Sequence, residues 1–131
     1  MAASFEGEML DQAARIGVQA KFEGVKKAQF ENLMASLDAI EDEKKSLLLT
    51  ALYAHRQAER LGGRRTAILI SQALNQLHAQ GRRREDARKL LGLAKWVFES
   101  VERTRLDIEP RQINNLTIEK LIQMLGGTRS P

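Results

Sequence analysis

The side chains suited to chemistry in this 131-residue chain are two histidines, an acidic triplet, a glycine-led arginine loop and thirteen arginines; there is no cysteine. His55 and His78 lie far apart, and neither falls in an HExxH or ExxH pattern. With no thiolate to assist them, they predict no transition-metal site. His55 reads as a half-buried residue on the inner edge of its helix, and His78 as an exposed residue near a helix C-terminus. Glu41, Asp42 and Glu43 could attract a divalent cation, but carboxylates that open a helix are accounted for by its dipole. Gly62-Gly63-Arg64-Arg65-Thr66 places glycines before a helix start, where backbone amides welcome an anion. It lacks the Walker spacing, the Lys-Ser/Thr pair and a preceding strand. No serine occupies a G-x-S-x-G elbow. The inventory points to a non-enzymatic protein without metal or cofactor.

The arginines carry more information. Residues 1 to 43 hold nine acidic and four basic side chains, a balance of −5; residues 44 to 131 hold eight acidic and seventeen basic, a balance of +9. Cations at a helix N-terminus oppose the dipole by roughly 0.3–1 kcal/mol each. Even so, Arg64 and Arg65 open one predicted helix and Arg82, Arg83 and Arg84 open the next, with Glu85 and Asp86 partly compensating the second group. Arg56 and Arg60, one turn apart, are expected to join Arg64 and Arg65. Arg82 to Arg84 lie about 25 Å away along the intervening helix. Arg84, Arg88 and Lys95 continue along one flank of the following helix. Such a track suits the phosphates of RNA or DNA without reading sequence.

These residues must be positioned by helices, because strand signals are absent and prolines occur only at Pro110 and Pro131. Ser4 caps a helix bearing Phe5, Met9, Ala13, Ile16 and Ala20. Beyond Gly24 the spacing continues through Phe30, Leu33, Met34 and Leu37; whether Gly24 breaks this run is left open. Asp42 is the expected N-cap of a helix with an apolar stripe of Leu47, Leu48, Ala51, Leu52, His55 and Ala58, ended by Gly62-Gly63. Ala67, Ile70, Ala73, Leu74 and Leu77 mark the next helix, stopped by Gly81. Ala87, Leu90, Leu91, Ala94, Val97, Phe98 and Val101 mark an amphipathic helix from about Arg84 to Arg105. A final helix follows Pro110, capped by Thr117, stapled by Leu116 against Leu121 and ended by Gly126-Gly127. The prediction is an all-α, compact bundle of five to six helices, a single domain over 1–125 with a frayed tail over 126–131.

Trp96 points away from that last amphipathic stripe, in line with Lys89, Gly92, Glu99 and Arg103. Either the helix packs on two sides, with Gly92 admitting a neighbour, or Trp96 is exposed as an interface anchor or base-stacking platform. Lys89, Gly92, Trp96 and Arg103 are therefore the candidate partner interface. The acidic N-terminal segment lacks a signal-peptide pattern, and the longest uncharged stretch, Thr66 to Gly81, is too polar to span a bilayer. A cytoplasmic location without membrane contact is expected.

The order of these features resembles the small helical subunit of type III CRISPR effector complexes. The likeness covers residues 26 to about 105: KKAQFENLMASL from Lys26 to Leu37, LLLTALYAHRQAER from Leu47 to Arg60, an aliphatic helix, then ARKLLGLAKWVFESV from Ala87 to Val101. Tyr53 and Arg56 are similar to an aromatic and a basic residue of the family's middle helix, and Phe98 and Glu99 to an aromatic-Glu pair of its late helix. The Thr-rich, Arg-containing opening of the family is not reproduced at Lys26 to Leu33, the interval from Tyr53 to Phe98 is long, and Ile108 to Leu125 add a helix. The resemblance implies a non-catalytic subunit with a role in antiviral defence, stacked with copies of itself and with other protein subunits along a guide and target duplex. Arg56, Arg60 and Arg88 would then touch phosphate. The alternative is a helical protein-protein adaptor with no nucleic-acid contact, its arginines serving solubility.

Overall fold

A computed structural model describes residues 4–127 and is all-helical, with no strand among them. The helices are α1 (Phe5–Glu23), α2 (Lys27–Ser36), α3 (Lys45–Leu61), α4 (Arg64–Ala79), α5 (Arg84–Val101) and α6 (Ile118–Gly127), with a 3-10 helix at Pro110–Asn115. That makes seven helices where five to six were expected. The extra element is the 3-10 turn, where Pro110 takes the first helical position and the Gln112 side chain accepts from the Glu109 amide at 2.8 Å.

Local chemistry sets most boundaries. The Ser4 hydroxyl accepts from the Gly7 amide at 2.9 Å and caps α1. Gly24 takes φ 71° in the left-handed region and ends α1, so the run to Leu37 is two helices. Asp42 accepts from the amides of Lys44 and Lys45 at 3.0 and 2.9 Å, and α3 begins just after it. α5 stops at Val101, short of Arg105. Ser100 and Thr104 there turn their hydroxyls back to the Trp96 and Ser100 carbonyls, and Leu106 folds inwards. Gly126 and Gly127 are the last two residues of α6 and do not follow it as expected; the rest of the expected frayed tail, residues 128–131, lies outside the described residues.

α1 and α5 form the central pair and run parallel. Lys89 meets Glu6 at 2.6 Å near their starts, and Lys21 reaches the Glu102 carbonyl at 3.2 Å near their ends. Gly17 permits the close approach, since a Cβ there would lie 2.5 Å from Val97 Cγ1 and 2.9 Å from the Ala94 carbonyl. One face of α1, with Met9, Ala13, Ile16 and Ala20, joins α2 to α5 in the main core, where Phe30 and Phe98 pack at 5.5 Å. The other face, Ala14 and Val18, meets Val97, Val101, Leu106, Ile113, Leu116 and Leu121 in a second core. The C-terminal segment thus closes the far side of the α1–α5 pair. Asp11 accepts from the Ile118 amide there at 2.8 Å, and Arg15 donates to the Leu116 carbonyl at 2.8 Å.

On α3 the buried stripe differs from the expected one. Leu47, Ala51, Ala54 and Ala58 are buried, while Leu48, Leu52 and His55 are exposed. The alanines let α3 and α4 pack closely, with Ala67 and Ala73 on the facing helix, which leaves the bulkier leucines outside. His78 is half-buried, so both histidine expectations are reversed.

Candidate nucleic-acid interface

The acidic N-terminal third is the internal counterpart of the basic remainder. Asp38 receives Arg88 at 2.7 Å and Arg84 at 3.4 Å, Glu31 receives Lys95 at 3.2 Å, and Glu6 receives Lys89 at 2.6 Å. Arg84 also donates to the carbonyls of Ile40 and Glu41 at 3.0 and 2.6 Å, with a side chain only 17% exposed. It fastens the α2–α3 loop to the start of α5. Arg82 lies over the Phe5 ring at 3.8 Å and 3.9 Å from Asp86, while Arg83 is exposed. The predicted flank of Arg84, Arg88 and Lys95 is therefore a row of ties from α5 to α2 and the α2–α3 loop.

These ties show in the titration of their partners. The Arg88 hydrogen bond, with its charge and that of Arg84, holds the Asp38 carboxyl below its ordinary value. Lys89 lowers Glu6 in the same way, and Glu6 in turn raises Lys89. Asp42 is lowered chiefly by the Lys45 amide.

The start of α4 departs from expectation in an informative way. Gly62 and Gly63 both have positive φ, 94° and 92°, and turn the chain between α3 and α4. The amides so presented are met from within: Glu23 accepts from the Arg65 amide at 3.1 Å, the Thr66 amide at 2.7 Å and the Thr66 hydroxyl at 2.6 Å. The anion welcomed by this helix start is a carboxylate at the end of α1.

Four basic residues outside those ties lie near that turn, while Arg83, Arg103 and Arg105 lie exposed elsewhere. Arg56, Arg60, Arg64 and Arg65 are all exposed, and no ion pair involves them among the described residues. Arg56 and Arg60 line one groove between α2 and α3, with Asn32, Tyr53, Gln57 and Leu61. Arg65 lines a second groove with Arg15, Ile68, Leu69, Gln72 and Asn114. Arg15 is a site residue that sequence reasoning missed. Its signal is a lone cation in the otherwise apolar stretch from Ala13 to Val18.

Trp96 is 71% exposed, so the two-sided packing of α5 does not involve it; the second packed side is Val97 and Val101. Among the described residues nothing lies within 4 Å of a Cβ built on Gly92, and no helix there needs that glycine. Lys89 is held by Glu6, and Arg103 lies beyond the end of α5, out of register with Trp96. Among the described residues no group of three or more His, Asp or Glu side chains could hold a metal ion, and no helix is long and apolar enough to cross a membrane. The chain matches no protein-family model, no curated protein and no solved structure.

Proposed function

We propose that this protein is a non-catalytic helical subunit that binds nucleic-acid backbone through Arg56, Arg60, Arg64 and Arg65, inside a larger ribonucleoprotein assembly. The observation that carries the reading is the cluster of unpaired arginines around the α3–α4 turn, in a chain that ties down Arg84, Arg88, Lys89 and Lys95 internally. Guanidinium groups left in water beside a polar groove suit phosphate, which they bind with a planar fork. An assembly like that of the type III CRISPR small subunits, with copies stacked along a duplex, is the setting proposed for it. The test is binding of fluorescent RNA and DNA oligonucleotides in low salt. Wild type is expected to bind, and the Arg56→Ala, Arg60→Ala, Arg64→Ala, Arg65→Ala variant to lose binding; an unchanged affinity in the variant overturns the reading.

A second reading, a protein-protein adaptor, is favoured by one observation: a tryptophan 71% exposed, one turn from a glycine whose open side nothing in the chain fills. Tryptophan in such a setting is a common interface anchor. On this reading the protein binds no oligonucleotide at any salt, and Trp96→Ala is the variant that releases its partner.

A further inference from the structure

We infer that the groove between α2 and α3 is a subsite for one unpaired nucleotide, with phosphate on Arg56 and Arg60 and the base among Tyr53, Leu61, Asn32 and Gln57. The inference rests on the backbone-binding reading above and adds to it a preference for single strands.

Three observations converge on this groove. Its volume is about 220 Å³, below the roughly 300–1,000 Å³ of ordinary small-molecule pockets, which fits one unit of a polymer better than a free ligand. Its wall is chemically divided: Arg56 and Arg60 supply two cations, Tyr53 and Leu61 supply apolar surface, and Asn32 and Gln57 supply amides able both to donate and to accept. Leu61 is 60% exposed at this site. A sugar-phosphate backbone alone has no use for the apolar surface or the amides, whereas a base uses both.

The third observation is Gln57 itself. The residue is 6% exposed, and its Nε2 has no hydrogen-bond partner. A buried amide donor left without an acceptor carries a penalty that folded chains rarely retain, and a ligand acceptor removes it. Gln57 also borders the cavity on its inner side, which is walled mostly by apolar residues such as Val25, Phe30, Leu33 and Ile70. Gln57 thus lines both the groove and that inner cavity, and a rotation of its side chain towards the groove would bring the amide to an incoming carbonyl or ring nitrogen of a base. A base in a duplex has its pairing edge occupied and its faces stacked, so only an unpaired nucleotide can fill the groove.

The experiment compares a fluorescent 12-nucleotide RNA strand, the same strand in a blunt duplex, and an abasic strand of equal length. Each is titrated with wild type, Asn32→Ala, Gln57→Leu and the Arg56→Ala, Arg60→Ala variant at one salt concentration. Asn32 is exposed, so its variant keeps the fold if Gln57→Leu does not. Wild type is expected to hold the normal strand at least about fivefold tighter than the duplex or the abasic strand. Asn32→Ala and Gln57→Leu should erase that difference and leave duplex binding as it was, while the double arginine variant weakens all three ligands. Equal affinity of wild type for the three ligands overturns the subsite and leaves backbone binding standing. Loss of binding to none of the ligands in the double arginine variant also overturns the subsite, and no binding of any ligand by wild type overturns both.

Discussion

The carboxylate of Glu23, at the end of α1, lies 2.7 Å from the amide of Thr66 and 2.6 Å from its hydroxyl, at the start of α4. A side chain 43 residues away thus caps a helix whose own first turn holds two arginines and no acid. It also occupies the Arg65 and Thr66 amides of that helix start, which an external anion would otherwise meet. Glu23→Ala is expected to lower stability by about 1–2 kcal/mol, the usual cost of losing a cap, and Glu23→Gln by less. Chemical denaturation of the variants checks this; an unaffected midpoint in Glu23→Ala would contradict it.

The two glycines that face α1–α5 packing and open solvent make opposite predictions. Gly17→Ala forces a Cβ to within 2.5 Å of Val97 and 2.9 Å of backbone at Ala94, so overpacking should cost about 1–3 kcal/mol. Gly92→Ala meets nothing within 4 Å and should stabilise α5 by about 1 kcal/mol through helix propensity. Thermal melts of both should move the midpoint in opposite directions.

Acid should weaken the tie between the α2–α3 loop and α5. Asp38 has a folded-state pKa below its ordinary value, so its stabilisation is present above that ordinary value, about pH 4, and is lost as pH falls through the lowered one. Glu6 and Asp42 act in the same direction. Lys89 acts at the other end: its pKa is raised, so its contribution is complete below the ordinary Lys range and fades as pH climbs through the raised value. Asp38→Asn should flatten the loss of stability below about pH 4 relative to wild type. Identical acid profiles for the two proteins would contradict the Asp38–Arg88 tie.

Trp96 is the sole tryptophan, so intrinsic fluorescence reports its face of α5 alone. Iodide should quench it readily in the isolated chain. Oligonucleotide filling the α2–α3 groove should leave its emission in place, whereas stacking of copies or docking of another subunit on α5 should shift it to shorter wavelength. A blue shift on adding an oligonucleotide too short to hold two copies would place nucleic acid on the wrong face.

Most of the fold was legible in the sequence because helical periodicity and helix ends are local. Ala87 to Val101 and Ala67 to Leu77 bury the residues their spacing predicts. Ser4 and Thr117 act at helix ends through neighbours within a few residues, whereas the break at Gly24, left open by propensity, is set by its left-handed φ. The stripe of α3 was misplaced because hydrophobicity favours Leu48 and Leu52 over Ala54 and Ala58, while close packing on α4 favours the small residues. The candidate site was legible in residue type but not in use. Whether Arg84 or Lys95 is free depends on where Asp38 and Glu31 land, and those partners are separated from them by long stretches of chain. Arg15 carried no strong local pattern, and only tertiary structure sets it beside Arg65; Gln57 adjoins Arg56 in the chain, but only tertiary structure leaves its amide buried without a partner.

The most direct test of the central claim is the salt dependence of binding to a single-stranded oligonucleotide. If Arg56, Arg60, Arg64 and Arg65 each neutralise one phosphate, log K should fall with log salt at a slope of about −3, and Arg56→Ala, Arg60→Ala should reduce its magnitude by about 1.4. A slope near zero, or one the double variant leaves unchanged, would contradict backbone binding through these arginines.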